Sequence, residues 1–491
     1  MSARLCSRLA ARWRQPIPWR HGTHAFALLA LLLLPACASF SPDGGMSVPA
    51  DIVAQHLRKD VVAIRSDEDA DAARAKVDRL LRRPLTADAA VQIALLNNRG
   101  LQAAYNELGI ADAVRVRQSL PPNPTISLTR LSGAAEAELD REIVVNILAL
   151  ATLPMRTEIA NERFRRAQLA AALETLRVGT EARRAYYRAV AARQLVSLFT
   201  QARSASATTA ELAKRMGESG AMNKLDQSRQ QVLHADLSTE LARAQQRANA
   251  ERERLIRVLG FSGSDLGFAL PSALPPLPKR ALALPAVEQD AINRRVDLQI
   301  ARSELDSLAK SYGLTKATRF INVLEGGVAD KIADNRETGE HAHSRGFTLT
   351  LEVPIFDFGE ARVREAEQTY MQAVNRLAQK AVEARSQARE AYRSYRLSYD
   401  VAARYQRDVL PLRKIISDEL MLRYGAMQVD VFALLAEARQ KIAANVAAVD
   451  AQRDFWLAST DLSASLIGGA GSGAEPASST TASAAGDAPE H

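Results

Sequence analysis

His341 and His343, one residue apart, are the most suggestive ligand types in the chain. Imidazoles at such spacing bind zinc or copper when further soft donors converge on them. No cysteine or methionine cluster accompanies them, and Asn335 to Ser344 reads as a polar hairpin loop, so solvated loop histidines are expected. His56 and His234 stand isolated, and no His-centred triad or metal centre can be built from nearby sequence. Gly359, after Phe358, suits a sharp strand-to-helix transition, because no Gly-rich phosphate loop surrounds it. Arg163, Arg165 and Arg166 read as a wet helix face and not as a nucleic-acid patch. Catalytic residues, a metal site, a cofactor and nucleic acid are therefore not expected, and neither is an enzyme.

The remaining reactive side chain is Cys37. A basic stretch with Arg4, Arg8, Arg12, Arg14 and Arg20 precedes an apolar run from Ala25 to Leu34. That run is about half of the ~20 residues needed to span a bilayer, which fits a signal peptide over 1–36. It ends Leu34-Pro35-Ala36-Cys37-Ala38-Ser39, a sequence that resembles a bacterial lipobox, although Pro35 departs from the usual small residue. An acylated Cys37 would be held durably by two or three chains. The alternative is cleavage nearby that leaves a plain thiol. The other cysteine, Cys6, falls inside the signal, so a mature intrachain disulfide is not expected. The five arginines also account for most of the formal charge of +8; the remainder carries +3. Residues 37–84 form a lead-in with a short acidic run, and 469–491 lack large apolar residues and are expected to be disordered.

The elements between these ends are duplicated. Ala182-Arg183-Arg184-Ala185-Tyr186 recurs as Ala388-Arg389-Glu390-Ala391-Tyr392, and Gly220-Ala221-Met222 as Gly425-Ala426-Met427. Leu101-Gln102 with Glu107-Leu108 recurs as Leu298-Gln299 with Glu304-Leu305. Two repeats, 85–268 and 286–468, flank a Pro-rich linker at 269–285. Each reads as helix, strand pair, very long helix, returning helix. Strands are expected at about 124–131, 142–149, 319–328 and 346–354. In the last, Phe347, Leu349, Leu351 and Val353 alternate with Thr348, Thr350 and Glu352, so one face meets an apolar medium and the other water. A first helix is expected from Thr86 to about Leu120, and long helices at 155–216 and 357–424. In the second long helix an alanine-rich seam repeats every seven residues (Ala381, Ala388, Tyr395, Ala402), and Pro411 should kink it.

Gly346 to Glu367 (GFTLTLEVPIFDFGEARVREAE) is similar to the strand-to-helix junction of the TolC-type outer membrane efflux proteins. Leu85 to Tyr105, Leu120 to Leu128 and Arg423 to Leu462 resemble the first helix, the approach to the first strand and the second returning helix of that family. The resemblance covers about residues 84–468. It implies a mainly α fold with a small β part: a coiled-coil tunnel, plus four strands given to a twelve-stranded transmembrane barrel shared by a homotrimer. It implies passive exit of small molecules or metal ions across the outer membrane, with a periplasmic adaptor and an inner-membrane pump as partners. It also implies that aspartates near the start of the returning helix ring the periplasmic mouth. Asp430 and Asp226 are the candidates for that gate, although Ala433 and Ala436 stand where a second acid is usual. A protein-secretion duct and a non-conducting coiled-coil lipoprotein stay open as alternatives.

Overall fold

Ser66 caps a helix by a reciprocal box, accepting from the Asp69 amide while the Asp69 carboxylate accepts from the Ser66 N–H. In this computed structural model, which describes residues 39–134, 136–262, 267–335 and 337–468, that helix is the second of two before the repeats. They are α1 (Ser47–Leu57) and α2 (Asp67–Leu81). The acidic run thus becomes a first turn, where carboxylates favourably oppose the helix dipole. The expected signal segment, Cys37 and the tail from 469 lie outside the described residues.

Thr86 caps the next helix by accepting from the Ala89 amide. The single helix expected to reach Leu120 is in fact two, α3 (Ala87–Asn97) and α4 (Arg99–Ser119). Asn98 breaks it: its side-chain oxygen caps α4 at Leu101, while its amide donates to Val258 O. Pro121, Pro122 and Pro124 then enforce extended backbone into β1 (Thr125–Ser132). β2 (Glu136–Asn146) begins six residues before the expected strand and stops earlier, because Asn146 caps the short α5 (Ile147–Ala151). Pro154, in the first turn, then starts α6 (Leu153–Glu218), a helix of 66 residues and so roughly 100 Å long. The returning helix is α7 (Lys224–Leu259).

The second repeat repeats the plan with α8 (Val287–Arg294), α9 (Val296–Ala317), β3 (Val323–Asn335) and β4 (His341–Glu352). β3 therefore lies later than the expected 319–328, because Thr318 to Asn322 form the turn out of α9. β4 likewise starts five residues before the expected 346, and the hairpin loop is correspondingly short. Then come α10 (Glu360–Arg404), a five-residue π-turn (Tyr405–Val409), α11 (Leu410–Gly425) and α12 (Val431–Ile467). The π-turn is the irregularity expected from Pro411: the Leu410 N–H reaches back to Tyr405 O. A wider turn there accommodates the ring that would otherwise clash one turn upstream.

The duplicated motif is a packing device. Ala182, Ala185 and Tyr186 are buried in one cluster, Ala388 with Tyr395 and Ala402 in the other. Tyr187 stacks on Trp456 at 5.3 Å and Phe455 meets Trp456 edge-on at 5.1 Å, so the two repeats share one aromatic joint. The Pro-rich stretch is strapped across it: Pro275 O accepts from Trp456 Nε1 and Gln452, and the Tyr399 hydroxyl donates to Pro278 O.

Gly359 has φ +72°, and a Cβ there would lie 2.2 Å from Arg319 O. Gly359→Ala is expected to cost about 1–3 kcal/mol in strain. The check is a lower thermal midpoint of the purified protein; an unchanged midpoint would mean that the junction relaxes freely.

Candidate functional site: a two-faced sheet and the helical tip

The four strands form one antiparallel sheet in the order β1-β2-β3-β4, so β1 and β4 are its edges. Register decides what each face carries. Ile126 pairs with Ile143, Ile143 with Val328, and Val328 with Phe347, a continuous apolar row across all four strands. All four side chains are exposed, from 42% for Ile143 to 83% for Phe347. One pleat nearer the helices the same face shows Val145, Gly326 and Leu349, with Ile147 over Gly326, and one further Leu324 and Leu351. Exposed Phe320, Phe356 and Phe358 stand just below, at the junctions with the helices.

The opposite face is polar. It presents Thr125, Ser127 and Thr129 on β1, Glu138, Asp140 and Glu142 on β2, Lys331 on β3, and Ser344, Thr348 and Thr350 on β4. Glu136, Glu325 and Glu352 share this parity, so its carboxylates far outnumber its cations. Lys331 pairs with Glu138 at 2.9 Å. Arg130, Arg141 and Arg345 all take the other parity. Charge is thus largely sorted by face, most carboxylates on the polar side and the arginines, with Asp330 and Asp334, at the outer end of the apolar side.

His341 and His343 are strand residues of β4 and not loop residues. His341 Nδ1 lies 2.6 Å from Asp334, and His343 Nε2 is hydrogen-bonded to Asp330. Among the described residues no group of three or more His, Cys, Asp or Glu is placed to hold a metal ion. The acidic alternation of β2 was readable in Glu136-Ala137-Glu138-Leu139-Asp140-Arg141-Glu142-Ile143. Gly133 and the density of acids up to Asp140 suit a polar loop equally well, which is why the strand is expected only from about 142.

The other candidates lie at the far tip. Asp430 is the N-cap of α12, its carboxylate accepting from the Ala433 amide at 3.0 Å. Asp226 sits in the first turn of α7; its N–H donates to Asn223 Oδ1 and its carboxylate accepts from Asn223 Nδ2. Arg229 leans on Asp226 at 3.5 Å and on the face of Phe432 at 4.6 Å, which joins the starts of the two returning helices. Each aspartate therefore has a local capping partner within its own turn. Arg166, in the Arg-rich stretch, pairs with Glu304 of α9 at 3.7 Å.

Residues 287–414 match the family model described as outer membrane efflux protein. The chain is 23% identical over 286 residues to the cobalt-zinc-cadmium resistance protein CzcC of Cupriavidus metallidurans, covering 58% of this chain and 66% of that protein. The fold is shared with CusC, whose structures concern folding and transmembrane channel formation: TM-score 0.66, 17% identity, 78% of this chain and 92% of that one. It is shared too with the Campylobacter jejuni CmeC outer membrane channel: TM-score 0.64, 14% identity, 86% and 92%. The duplicated helical frame carrying one two-faced sheet is thus similar to outer membrane efflux proteins within its second repeat, and shares the fold of CusC and CmeC over most of its length.

Proposed function

We propose that three copies of this chain close their sheets, β4 of one against β1 of the next, into a twelve-stranded outer membrane barrel. The observation that carries this reading is the exposed row Ile126–Ile143–Val328–Phe347 backed by a Thr- and Glu-lined face. A lone four-stranded sheet leaves two open edges, which lipid does not tolerate, and closed barrels begin at about eight strands. The long helices would form the duct across the periplasm, docked to an adaptor and an inner-membrane pump, with passive exit as the subunit's work. CzcC is a metal-resistance protein, and an acidic lumen favours cations, so metal ions lead the candidate cargoes over drugs and secreted proteins.

The lead-in supports a lipid anchor at Cys37. Arg115 donates to Ser39 O at 2.8 Å, and the Ser41 N–H donates to Asp112 at 2.8 Å. Arg115 and Asp112 are themselves paired, with Asp112 buried. The Ser41 hydroxyl, then the Gly45 and Ser47 amides, hold the Asp43 carboxyl well below its ordinary range and so stiffen this turn. Ser39 and Ser41 are thus held against the half of α4 that leads into β1.

Single-channel conductance of the detergent-extracted protein in planar bilayers tests the channel, with Asp430→Asn and Asp430→Ala alongside. Asn keeps the cap and removes the charge, whereas Ala also forfeits about 1 kcal/mol of capping. Discrete, cation-preferring steps are expected, with altered closure in both variants if Asp430 lines the mouth. Altered closure in Ala alone would reduce Asp430 to a cap. Folded protein that neither inserts nor conducts would sink the channel reading.

A further inference from the structure

The apolar face changes character toward the hairpins. Beyond the Ile126 row, the next pleat aligns Leu128, Arg141, Asp330 and Arg345. The pleat after that aligns Arg130, Leu139, Ile332 and His343. Two guanidinium groups and an imidazole surround one carboxylate: Arg345 reaches Asp330 at 3.2 Å, Arg141 at 4.0 Å, and His343 is hydrogen-bonded to it. Asp330 can neutralise one of them, and Arg130 forms no ion pair among the described residues. Directly below, a groove of about 660 Å³ is floored by Ile126, Leu128, Ile143 and Val328 and rimmed by Arg141 and Arg345.

From Val353 up to this rim the apolar side chains span four pleats, roughly 25 Å along the strand, which at a barrel tilt of about 40° covers about 20 Å of the ~25 Å outer membrane apolar band. The phenylalanines mark its periplasmic boundary, which leaves the arginines at the outer-leaflet boundary. Arginine is the side chain whose planar donor fork matches phosphate oxygens. An apolar floor ending in paired guanidinium groups therefore complements an acyl chain ending in a phosphate.

We infer that Arg141, Arg345 and Arg130 form a binding surface for the phosphorylated headgroup of an outer-leaflet glycolipid, its acyl chain lying along the Ile126–Ile143–Val328 groove. The inference rests on the reading that this face meets lipid. The surface recurs in each copy of the trimer, so the barrel would be ringed by phosphate contacts, with Asp330 holding the guanidinium groups apart and oriented.

The test uses the full-length trimer in nanodiscs doped with diphosphoryl lipid A, with the same lipid stripped of phosphate, or with inorganic phosphate added to undoped discs. Bound lipid is counted by native mass spectrometry and stability by thermal midpoint. Wild type should bind the diphosphoryl lipid about ten-fold more tightly than the stripped lipid, and Arg130→Gln/Arg141→Gln/Arg345→Gln should erase the difference. Inorganic phosphate should raise nothing. Equal binding of both lipids by wild type, or full retention in the variant, would overturn the surface. The wild-type comparison stands even if the variant does not fold. Failure of wild type to insert at all would instead strike the barrel reading.

Discussion

Arg295→Ala should destabilise the helical frame by about 3–5 kcal/mol, the cost of stripping one partner from a buried ion pair. Arg295 is 5% exposed and sits at the N-terminal boundary of α9. Its guanidinium donates to both carboxylate oxygens of Asp297 at 2.9 and 2.7 Å, to Gln387 of α10 at 2.9 Å and to Ser465 O near the end of α12 at 3.2 Å. One side chain thus closes three helices. Removing it orphans a carbonyl and an amide oxygen and leaves Asp297 beside a packed chain end, where even a Cβ on Gly468 would come within 2.8 Å of the carboxylate. Asp297 keeps 23% side-chain exposure and accepts from the Leu298 amide, so water and backbone relieve part of the charge and the lower end of the range is expected. Arg295→Met/Asp297→Asn, which leaves no uncompensated charge, should recover part of the loss. A thermal or denaturant midpoint within experimental error of wild type for Arg295→Ala would refute the assignment.

That network was invisible in the sequence for a physical reason: Gln387 and Ser465 lie 92 and 170 residues from Arg295, and no periodicity encodes such a meeting. The frame itself was legible. Ala182, Ala185 and Tyr186 and their counterparts recur because close helix packing needs small residues at fixed intervals: the first three and Ala388 are buried, and Ala391 and Tyr392 pack half-buried against the second cluster. β4 was legible because Phe347, Leu349 and Leu351 alternate with threonines, whereas β2 alternates apolar residues with acids, which also suit loops. Asn98 hid for a related reason. An asparagine within a helical pattern is ambiguous until its amide finds Val258 O, a partner that only the fold supplies. The charge sorting between faces was out of reach until register aligned Arg141, Asp330 and Arg345.

Register also yields the sharpest test, because adjacent residues of β4 should respond oppositely to the same substitution. Leu349 is 61% exposed in the single chain, one pleat from the Ile126 row, in the middle of the apolar band. If that face meets lipid, Leu349→Arg places a guanidinium near the bilayer midplane at about 2–4 kcal/mol per copy, three times over in a trimer. No assembled, membrane-inserted trimer is then expected, read by gel mobility without boiling and by outer membrane fractionation. Thr348, its neighbour, points to the polar face beside Gly327 and Glu142-bearing β2. Thr348→Arg should insert and assemble, because water solvates the new charge. It should also weaken cation preference, because three cations, one from each copy, now stand beside the carboxylates of Glu142 and Glu325. A soluble core packed against the apolar face would make the two variants differ in folding but not in ion selectivity. Assembly of Leu349→Arg with failure of Thr348→Arg would invert the faces, and with them the acidic lumen and the outer ring of arginines. Both features depend on one parity, so this pair of substitutions tests the register from which the channel reading is built.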